Sequence, residues 1–542
     1  MLVLSLPPRF PLRFLIALAL GALHASAFID DAAWPIAVAA LAGIAALAAR
    51  AARDTTSWRA AFAGARAGFA FGLGWFLTGI SWIYISLHTF GEMPAAIAGM
   101  GTFLLAAYLA IYPALACAAF AAFRRRFAPR AGSPVASIAL FAALWALSEI
   151  GRGFIFTGFP WLASGYAQVG SPLAGYAPWL GVYGVSFAAA LVAATLVAAA
   201  GGMGRDQKPR AWLTLVLVVG IPLAGMGLSH IDWSTPSGAP ISVRLLQGNI
   251  AQDVKFVEAH FGDTAEVYLK LIEAKAADLI VLPETAFPQF LGDLPDRITE
   301  RLVRDAHKAH AAIAFGVPIA EGRGRYFNSV IAIVPASSPE PPFTAAGRDS
   351  TQRYDKSHLV PFGEFIPFGF RWFVDLMKMP LGDFTRGAID QKPMLLAGNK
   401  VAFNICYEDL FGEEIIRQAR DASILINVSN VAWFGDSMAL PQHLASSRMR
   451  AIETARPMLR ATNTGMTAAI DPHGKVTGQL APFTTGSLDV NVQGMQGATP
   501  FDRFGNAPVV ALIAALLAWV GALAWWRPLA AQRTRVAATK GP

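Results

Sequence analysis

Glu284, Lys356 and Cys406 are the side chains whose types and settings point to covalent chemistry. Glu284 follows the apolar run DLIVLP. Cys406 follows VAFNI and precedes Tyr407-Glu408, and Lys356 stands in RYDKSHLVPFGEFIPFG, which mixes charge with aromatic surface. A thiol reacts as its thiolate, so a carboxylate able to take its proton and a cation able to face an oxyanion would complete a nucleophilic site. Taken singly, each residue has a plainer reading. A Glu after a strand usually caps a helix or meets water, a Lys beside an Asp is a surface pair worth little, and a Cys at a strand end is usually packing. Cys117 lies in the apolar run LAIYPALACAAF and reads as a small buried residue. Two cysteines in such different settings predict no disulfide.

Reactive side chains in α/β sheets gather where strands end and loops begin, and the surrounding sequence predicts that setting. From 241 onward strand-like runs (ISVRLLQGN, ADLIVLP, AAIAFGVPI, SVIAIV, VAFNIC, ASILINVS, TAAIDP) alternate with helical patterns. The helical patterns are FGDTAEVYLKLIEAKAA and DRITERLVRDAHKAHA, the latter with Ile298, Leu302, Val303 and Ala306 on one face. Strands separated by helices of this length imply an α/β domain with a largely buried sheet. DPHG at 471–474 reads as a turn and 336–348 as a surface loop.

The rest of the chain belongs to a different solvent. Of 542 residues, 55% are hydrophobic and 15% charged, against about 25% charged in a typical soluble domain. Seven apolar spans precede 231, at about 10–29, 33–50, 60–86, 94–123, 134–151, 173–200 and 211–230, and an eighth lies near 507–526. This predicts a membrane domain over 1–230, an intervening domain over 231–505, a last span at 507–526 and a tail over 527–542. Arg50, Arg53 and Arg59, then Arg124, Arg125, Arg126 and Arg130, then Arg205, Lys208 and Arg210 fall in every second loop, and the tail is basic. The loops IDDAAWP and HTFGEMP carry no base, and the fifth-to-sixth connection has Arg152 alone. The positive-inside rule then puts both termini in the cytoplasm and 231–505 outside. The Ala- and Arg-rich composition fits a bacterium of high genomic GC content, whose outside compartment is the periplasm.

The net charge of +8 is distributed over short loops rather than a stripe, so nucleic acid is not an expected partner. His358, His443 and the other histidines show no paired ligand spacing, and no glycine-rich phosphate loop joins a strand to a helix. Neither metal nor other cofactor is expected.

Longer motifs bind these residues together. LPET at 282–285, YDKSHLVPFGEFIP at 354–367 and NICYED at 404–409 resemble the Glu-Lys-Cys motifs of the nitrilase superfamily. With seven spans before that domain and one after it, the whole chain resembles the apolipoprotein N-acyltransferase family. GFPWLASGYAQ (158–168), NVSNVAWFGDS (427–437) and QHLASSRMRAIETARPMLRATNTG (442–465) match as well, while Val431 stands where the family pattern implies an acidic residue. The resemblance implies a multi-span α-helical membrane domain plus an α/β nitrilase-like αββα sandwich outside the cytoplasmic membrane. It implies retention of the first apolar segment, although Ala25-Ser26-Ala27 also resembles a signal-peptide cleavage site.

The resemblance further implies transfer of a fatty acyl chain from a phospholipid, through a thioester on Cys406, to the α-amine of a diacylglyceryl-cysteine on an apolipoprotein. Glu284 would be the general base and Lys356, with a main-chain N–H near Tyr407, the oxyanion donors. Glu364 and Glu408 would orient or tune Lys356 and Glu284. Phe362, Phe365, Phe368, Phe370, Trp372 and Phe373 are expected to form an interfacial lid that keeps water from the thioester. Trp433, Phe434 and the 154–161 aromatics are expected along the acyl path, and Arg152 at a lipid phosphate. The chain is expected to act as a monomer. The nearest alternative is a membrane-tethered amidase or nitrilase-type hydrolase with water as acceptor. A transporter or receptor with a ligand-binding outer domain would be favoured by ionisable residues buried in the spans, with Arg66 and Glu149 as candidates.

Overall fold

The computed structural model describes residues 10–52, 56–131, 134–201, 211–322, 324–335, 337–338, 352–366 and 384–539. Apart from 337–338, the loop expected at 336–348 lies outside these residues, as do Phe368, Phe370, Trp372 and Phe373 of the expected lid. The chain forms two compact units.

The first unit comprises residues up to Ser81, Met100–Ile231 and Asn506 onward. Six helical stretches are long and apolar enough to cross a membrane: Asp31–Ala51, Ser57–Gly79, Ala95–Arg124 (in this unit from Met100), Pro134–Thr157, Pro172–Ala199 and Ala211–Leu228. Leu12–Ser26 and Ala507–Leu523 are shorter apolar helices. A Cβ on Gly21 would stand 1.9 Å from the Phe71 carbonyl oxygen, so the helices Phe10–Ser26 and Ser57–Gly79 meet backbone to backbone, the close approach that small residues permit between apolar helices.

One expectation for this unit is corrected. Arg152 does not reach toward a headgroup: it is 1% exposed. Its Nη1 donates to the carbonyls of Phe159 (2.6 Å) and Trp161 (2.5 Å), and its guanidinium lies over the Trp75 and Phe76 rings. The irregular GFPW segment exposes main-chain acceptors inside the unit, and a buried cation satisfies them. Glu149, one of the candidate ionisable residues of the spans, is buried. It accepts from Trp145 Nε1 (3.0 Å) and from the Ser164 hydroxyl (2.6 Å) and main-chain N–H (3.1 Å), while His24 joins Ser164 at 3.2 Å. These bonds bind the unit to itself and need no transported ligand.

The second unit comprises Asp232–Gly505 together with Trp82–Gly99. The span expected over 60–86 ends at Gly79, and Trp82–Gly99 groups with the 232–505 chain rather than with the membrane helices around it. Trp82 Nε1 donates to Gln442 Oε1 (3.3 Å), Ser86 Oγ donates to the Trp433 carbonyl (2.7 Å), and Met93 and Ala98 pack beside Phe362. Apolar composition read 82–86 as the end of that span; specific tertiary partners claim these residues instead.

Two six-stranded sheets form the body of this unit. In space the first runs 486–492, 241–247, 279–281, 312–321, 325–333, 353–355, and the second runs 476–479, 468–470, 458–462, 424–429, 399–405, 394–396. Each has three parallel strands at its heart and antiparallel strands at its flanks. Helices Phe261–Glu273 and Asp296–Ala309 bury Tyr268, Leu269, Ile298, Leu302 and Ala306 with the first sheet's apolar core. Ile415, Ala419, Leu444 and Ala451, from the helices Gly412–Ala419 and Ala439–Thr454, do the same with the second. The result is the αββα, nitrilase-like architecture. DPHG makes the turn between 468–470 and 476–479, where Asp471 Oδ1 accepts from the N–H groups of His473 and Lys475 (both 2.9 Å).

Candidate active site

Glu284 comes three residues after the strand Leu279–Val281, Lys356 directly after Arg353–Asp355, and Cys406 directly after Asn399–Ile405. Two are thus carried by the first sheet and one by the second. All three are buried, at 7%, 1% and 9% exposure.

The structure joins Glu284 and Lys356 directly. Lys356 Nζ donates to Glu364 Oε1 (2.9 Å) and Glu284 Oε1 (3.4 Å). Asn328 Nδ2, from the neighbouring strand, donates to the same two carboxylates, to Glu364 at 2.8 Å and Glu284 at 2.9 Å. Asn430 N–H donates to Glu284 Oε2 (2.8 Å), and Val360 N–H to Glu364 Oε2 (2.8 Å). Each carboxylate therefore has both oxygens engaged, a requirement for burying charge. Burial favours the neutral amine of Lys356, but Glu364 and Glu284 outweigh it and hold the ammonium well above its ordinary value. Gly316 lies against this corner: a Cβ there would meet Thr285 N at 2.5 Å and Glu284 Cα at 2.7 Å.

Cys406 sits at φ +57°, in the left-handed region that a residue with a Cβ enters only when surroundings hold it. Its carbonyl accepts from Asn427 Nδ2 (2.8 Å) and His443 Nε2 (3.2 Å). Burial pushes the thiol well up and Glu284 adds to this, while Lys356 pulls it down. The thiol therefore rests protonated, and attack requires an acceptor for its proton.

Glu408 acts on Lys356 through its charge, helping to hold the ammonium up, but makes no direct bond to it. Its carboxylate binds main chain rather than Lys356 or Glu284: Oε1 accepts from Ser357 N (2.7 Å) and His358 N (2.8 Å), and Oε2 from Ile405 N (2.6 Å) and Tyr354 OH (3.0 Å). One buried carboxylate thus ties the segment after Lys356 to the residue before Cys406. Tyr407 donates its hydroxyl to the Leu359 carbonyl (3.0 Å), and Lys356 Nζ lies 6.0 Å from its ring centroid.

Trp433 and Phe365 are half-buried. Trp433 meets the rings of Phe256 and Phe90, and Trp82 packs on Phe434 with centroids 4.3 Å apart. Phe365 accepts from Phe362 N–H (2.9 Å) in the tight turn that presents Glu364. Among the described residues no group of acidic, His and Cys side chains could hold a metal ion.

Sequence reasoning missed Asn328, Asn430, Asn427 and Lys255. Lys255 is 1% exposed and its Nζ donates to the Glu284 carbonyl (3.1 Å). Burial lowers its ammonium to about 7, with Glu284 pulling the other way. Nothing local marks an Asn or Lys that acts through a distant strand; only the SN pair at 429–430, at a strand end, carried a hint.

Comparison with known proteins supplies the frame for this geometry. The Apolipoprotein N-acyltransferase N-terminal domain profile matches residues 20–195, and the Carbon-nitrogen hydrolase profile matches 242–500. A protein of Ralstonia nicotianae named apolipoprotein N-acyltransferase is 48% identical over 524 residues, covering 95% of this chain and 94% of its own. The chain belongs to the apolipoprotein N-acyltransferase family. A second member, from Nitrosomonas europaea, is 45% identical over 511 residues, covering 93% of this chain and 96% of its own. Among solved structures, an amidase from Nesterenkonia sp. aligns over 47% of this chain and 92% of its own, with 18% identity and a TM-score of 0.34.

Proposed function

We propose that this protein transfers a fatty acyl chain from a phospholipid to the N-terminal diacylglyceryl-cysteine of an apolipoprotein, through a thioester on Cys406. The observation that carries the reading is the buried meeting of Glu284 and Lys356 beside the strained Cys406 turn, in a chain that is a family member along nearly its whole length.

In the first half-reaction the Cys406 Sγ attacks the ester carbonyl of the phospholipid as Glu284 takes the thiol proton. Lys356 Nζ and the Tyr407 main-chain N–H face the developing oxyanion. One such donor is worth roughly 2.7–4 kcal/mol of barrier. Collapse breaks the ester C–O bond, Glu284 returns its proton to the leaving alkoxide, and lysophospholipid departs. In the second half the lipoprotein α-amine attacks the thioester, Glu284 accepts a proton from it, and the thiol is restored as the amide forms. The order of events is ping-pong. Asn328 and Glu364 keep the Lys356 ammonium charged and aimed throughout. Trp433, Phe434, Phe256 and Phe90 offer an apolar wall for the acyl chain, and Phe365 flanks the Glu364 turn.

The chain is a multi-pass protein of the bacterial inner membrane. The alternation of basic and base-free loops supports cytoplasmic termini and a periplasmic catalytic unit. It also supports division into a membrane domain over 1–230, a catalytic domain over 231–505 and a final span over 507–526, with Trp82–Gly99 contributed to the catalytic unit. A monomer suffices, since the catalytic unit supplies all three reacting side chains.

Intact-mass spectrometry tests the reading. Wild type incubated with phosphatidylethanolamine gains one acyl mass, Cys406→Ser does not, and a diacylated lipopeptide discharges the adduct as an N-acyl product. Discharge by water alone would assign a hydrolase, and absence of any adduct on wild type would sink the mechanism.

A further inference from the structure

A second buried polar cluster, unused by this mechanism, lies directly behind Cys406. His443, on the helix Ala439–Thr454, points Nε2 at the Cys406 carbonyl (3.2 Å) and at Asp409 Oδ1 (2.9 Å). Arg460, on the strand Met458–Thr462, donates Nη1 to Asp409 Oδ2 (3.0 Å) and Nη2 to His443 Nδ1 (3.2 Å). Ser447 Oγ donates to Asp409 Oδ2. His443 and Asp409 are wholly buried and Arg460 is 1% exposed.

These partners fix the imidazole's tautomer. A guanidinium N–H can only donate, so Nδ1 must be the acceptor and the single proton sits on Nε2, facing two acceptors. Burial pushes His443 below its ordinary value and Arg460 adds to this, against the pull of Asp409, so the ring stays neutral. Burial alone would raise Asp409, but His443 and Arg460 hold it below the usual carboxylate range.

Buried ion pairs of this kind rarely stabilise more than apolar side chains of the same volume would. What this one fixes is a peptide plane. In a trans peptide the carbonyl oxygen of Cys406 and the N–H of Tyr407 point in opposite directions. Asn427 and His443 together hold that oxygen toward the second sheet and the helix Ala439–Thr454, which turns the N–H away from them. The left-handed φ of Cys406 costs about 1–2 kcal/mol for an L residue, so the plane would relax without such a grip.

We propose that His443, oriented by Asp409 and Arg460, is a positioning residue that aims the Tyr407 N–H at the oxyanion of the acyl-transfer steps. The inference rests on the reading of Cys406 as nucleophile. Two rates measured on the full-length protein in detergent separate it from a merely structural role: acylation of Cys406 by phosphatidylethanolamine, which passes through an oxyanion, and alkylation of the same thiol by iodoacetamide, which does not.

His443→Leu should lower acylation at saturating phospholipid on the order of 10²-fold, the loss typical of one oxyanion donor. Half-saturating phospholipid and the alkylation rate should stay within about twofold of wild type. His443→Gln, which restores an N–H donor, should recover about tenfold of that loss. Wild-type acylation by His443→Leu, or equal falls in both rates, would overturn the assignment. Should His443→Leu lack a cooperative melt, Asp409→Asn decides by the same two rates, with acylation about tenfold lower and alkylation unchanged. Failure of the underlying reading looks different: wild type itself would gain no acyl mass.

Discussion

Glu408→Gln isolates the carboxylate that ties the Lys356 segment to the Cys406 strand. The amide has two possible orientations. With its oxygen left on Ser357 N and His358 N, its NH2 replaces Oε2 and faces Ile405 N–H and the Tyr354 hydroxyl. The hydroxyl can turn to accept; the Ile405 N–H cannot, and is orphaned. The opposite orientation orphans two main-chain donors and is worse. One buried unsatisfied donor costs about 1–3 kcal/mol, and the two retained main-chain bonds lose charge assistance worth about 1 kcal/mol each. Against this, burial raises the pKa of Glu408 despite Lys356 and its main-chain donors, so the neutral amide recovers part of a desolvation cost. The balance is about 2 kcal/mol of destabilisation, or about 4–8 °C in the melting of a unit this size. Because Ser357 and Ile405 adjoin Lys356 and Cys406, the same loosening should lower Cys406 acylation by about 10²-fold, as a misplacement near 1 Å does. Melting followed by intrinsic fluorescence at several heating rates, beside the acyl-adduct assay, measures both. A variant melting within about 1 °C of wild type and acylating at its rate would refute the bracket.

Three further substitutions test other parts of the site. Lys255→Met should raise the melting temperature at pH 7–8 while slowing acylation, because the amine is buried with one carbonyl acceptor. Its folded-state pKa, lowered to about 7, lies below the unfolded value, so wild type regains stability as pH rises above 7, by up to about 1.4 kcal/mol per unit. The melting gap should therefore narrow toward pH 9.5, and a constant gap would contradict the assignment. Gly316→Ala places a Cβ within 2.7 Å of the Glu284 backbone; about 1–3 kcal/mol of destabilisation and at least tenfold slower acylation should appear together, and normal kinetics would show that the corner yields. Asn328→Asp exchanges a donor shared by Glu284 and Glu364 for a third carboxylate; acylation should fall by 10²-fold or more, and Asn328→Ser should be milder. Equal effects would remove charge from the explanation.

The sheets were legible because their central strands are runs of Val, Ile, Leu and Ala long enough to be buried on both faces. The strand 458–462 escaped notice because MLRAT carries a charge in its middle, and only the second sheet's partners, Asp409 and His443, explain why an arginine is tolerated there. Periodicity placed the helix 296–309 correctly, down to buried Ile298, Leu302 and Ala306. The end of the third span was misread for the opposite reason: composition near 82–86 suits lipid and protein equally, and the choice was made by Gln442 and Trp433, hundreds of residues away. The reactive trio stood out through long motifs, whereas the groups that orient it are amides and main-chain atoms, which leave little trace in a sequence. Arg152 was misassigned because charge counting assumes that a loop base meets solvent or lipid; the GFPW carbonyls were competing acceptors it could not see.

The first and last strands of the catalytic unit are partners. Ser234–Pro236 pairs antiparallel with Met495–Gly497, and Ile241–Gln247 with Gly486–Val492. During synthesis the strand carrying Arg244 waits beside an open edge until almost the whole unit has been made. A chain broken off after Cys406 lacks Asn427, His443 and Arg460, and so cannot hold the Cys406 carbonyl as the whole unit does. Topology thus acts as a safeguard on translation: incomplete products carry an ordinary cysteine, and its left-handed turn is secured only once the last strands have paired with the first.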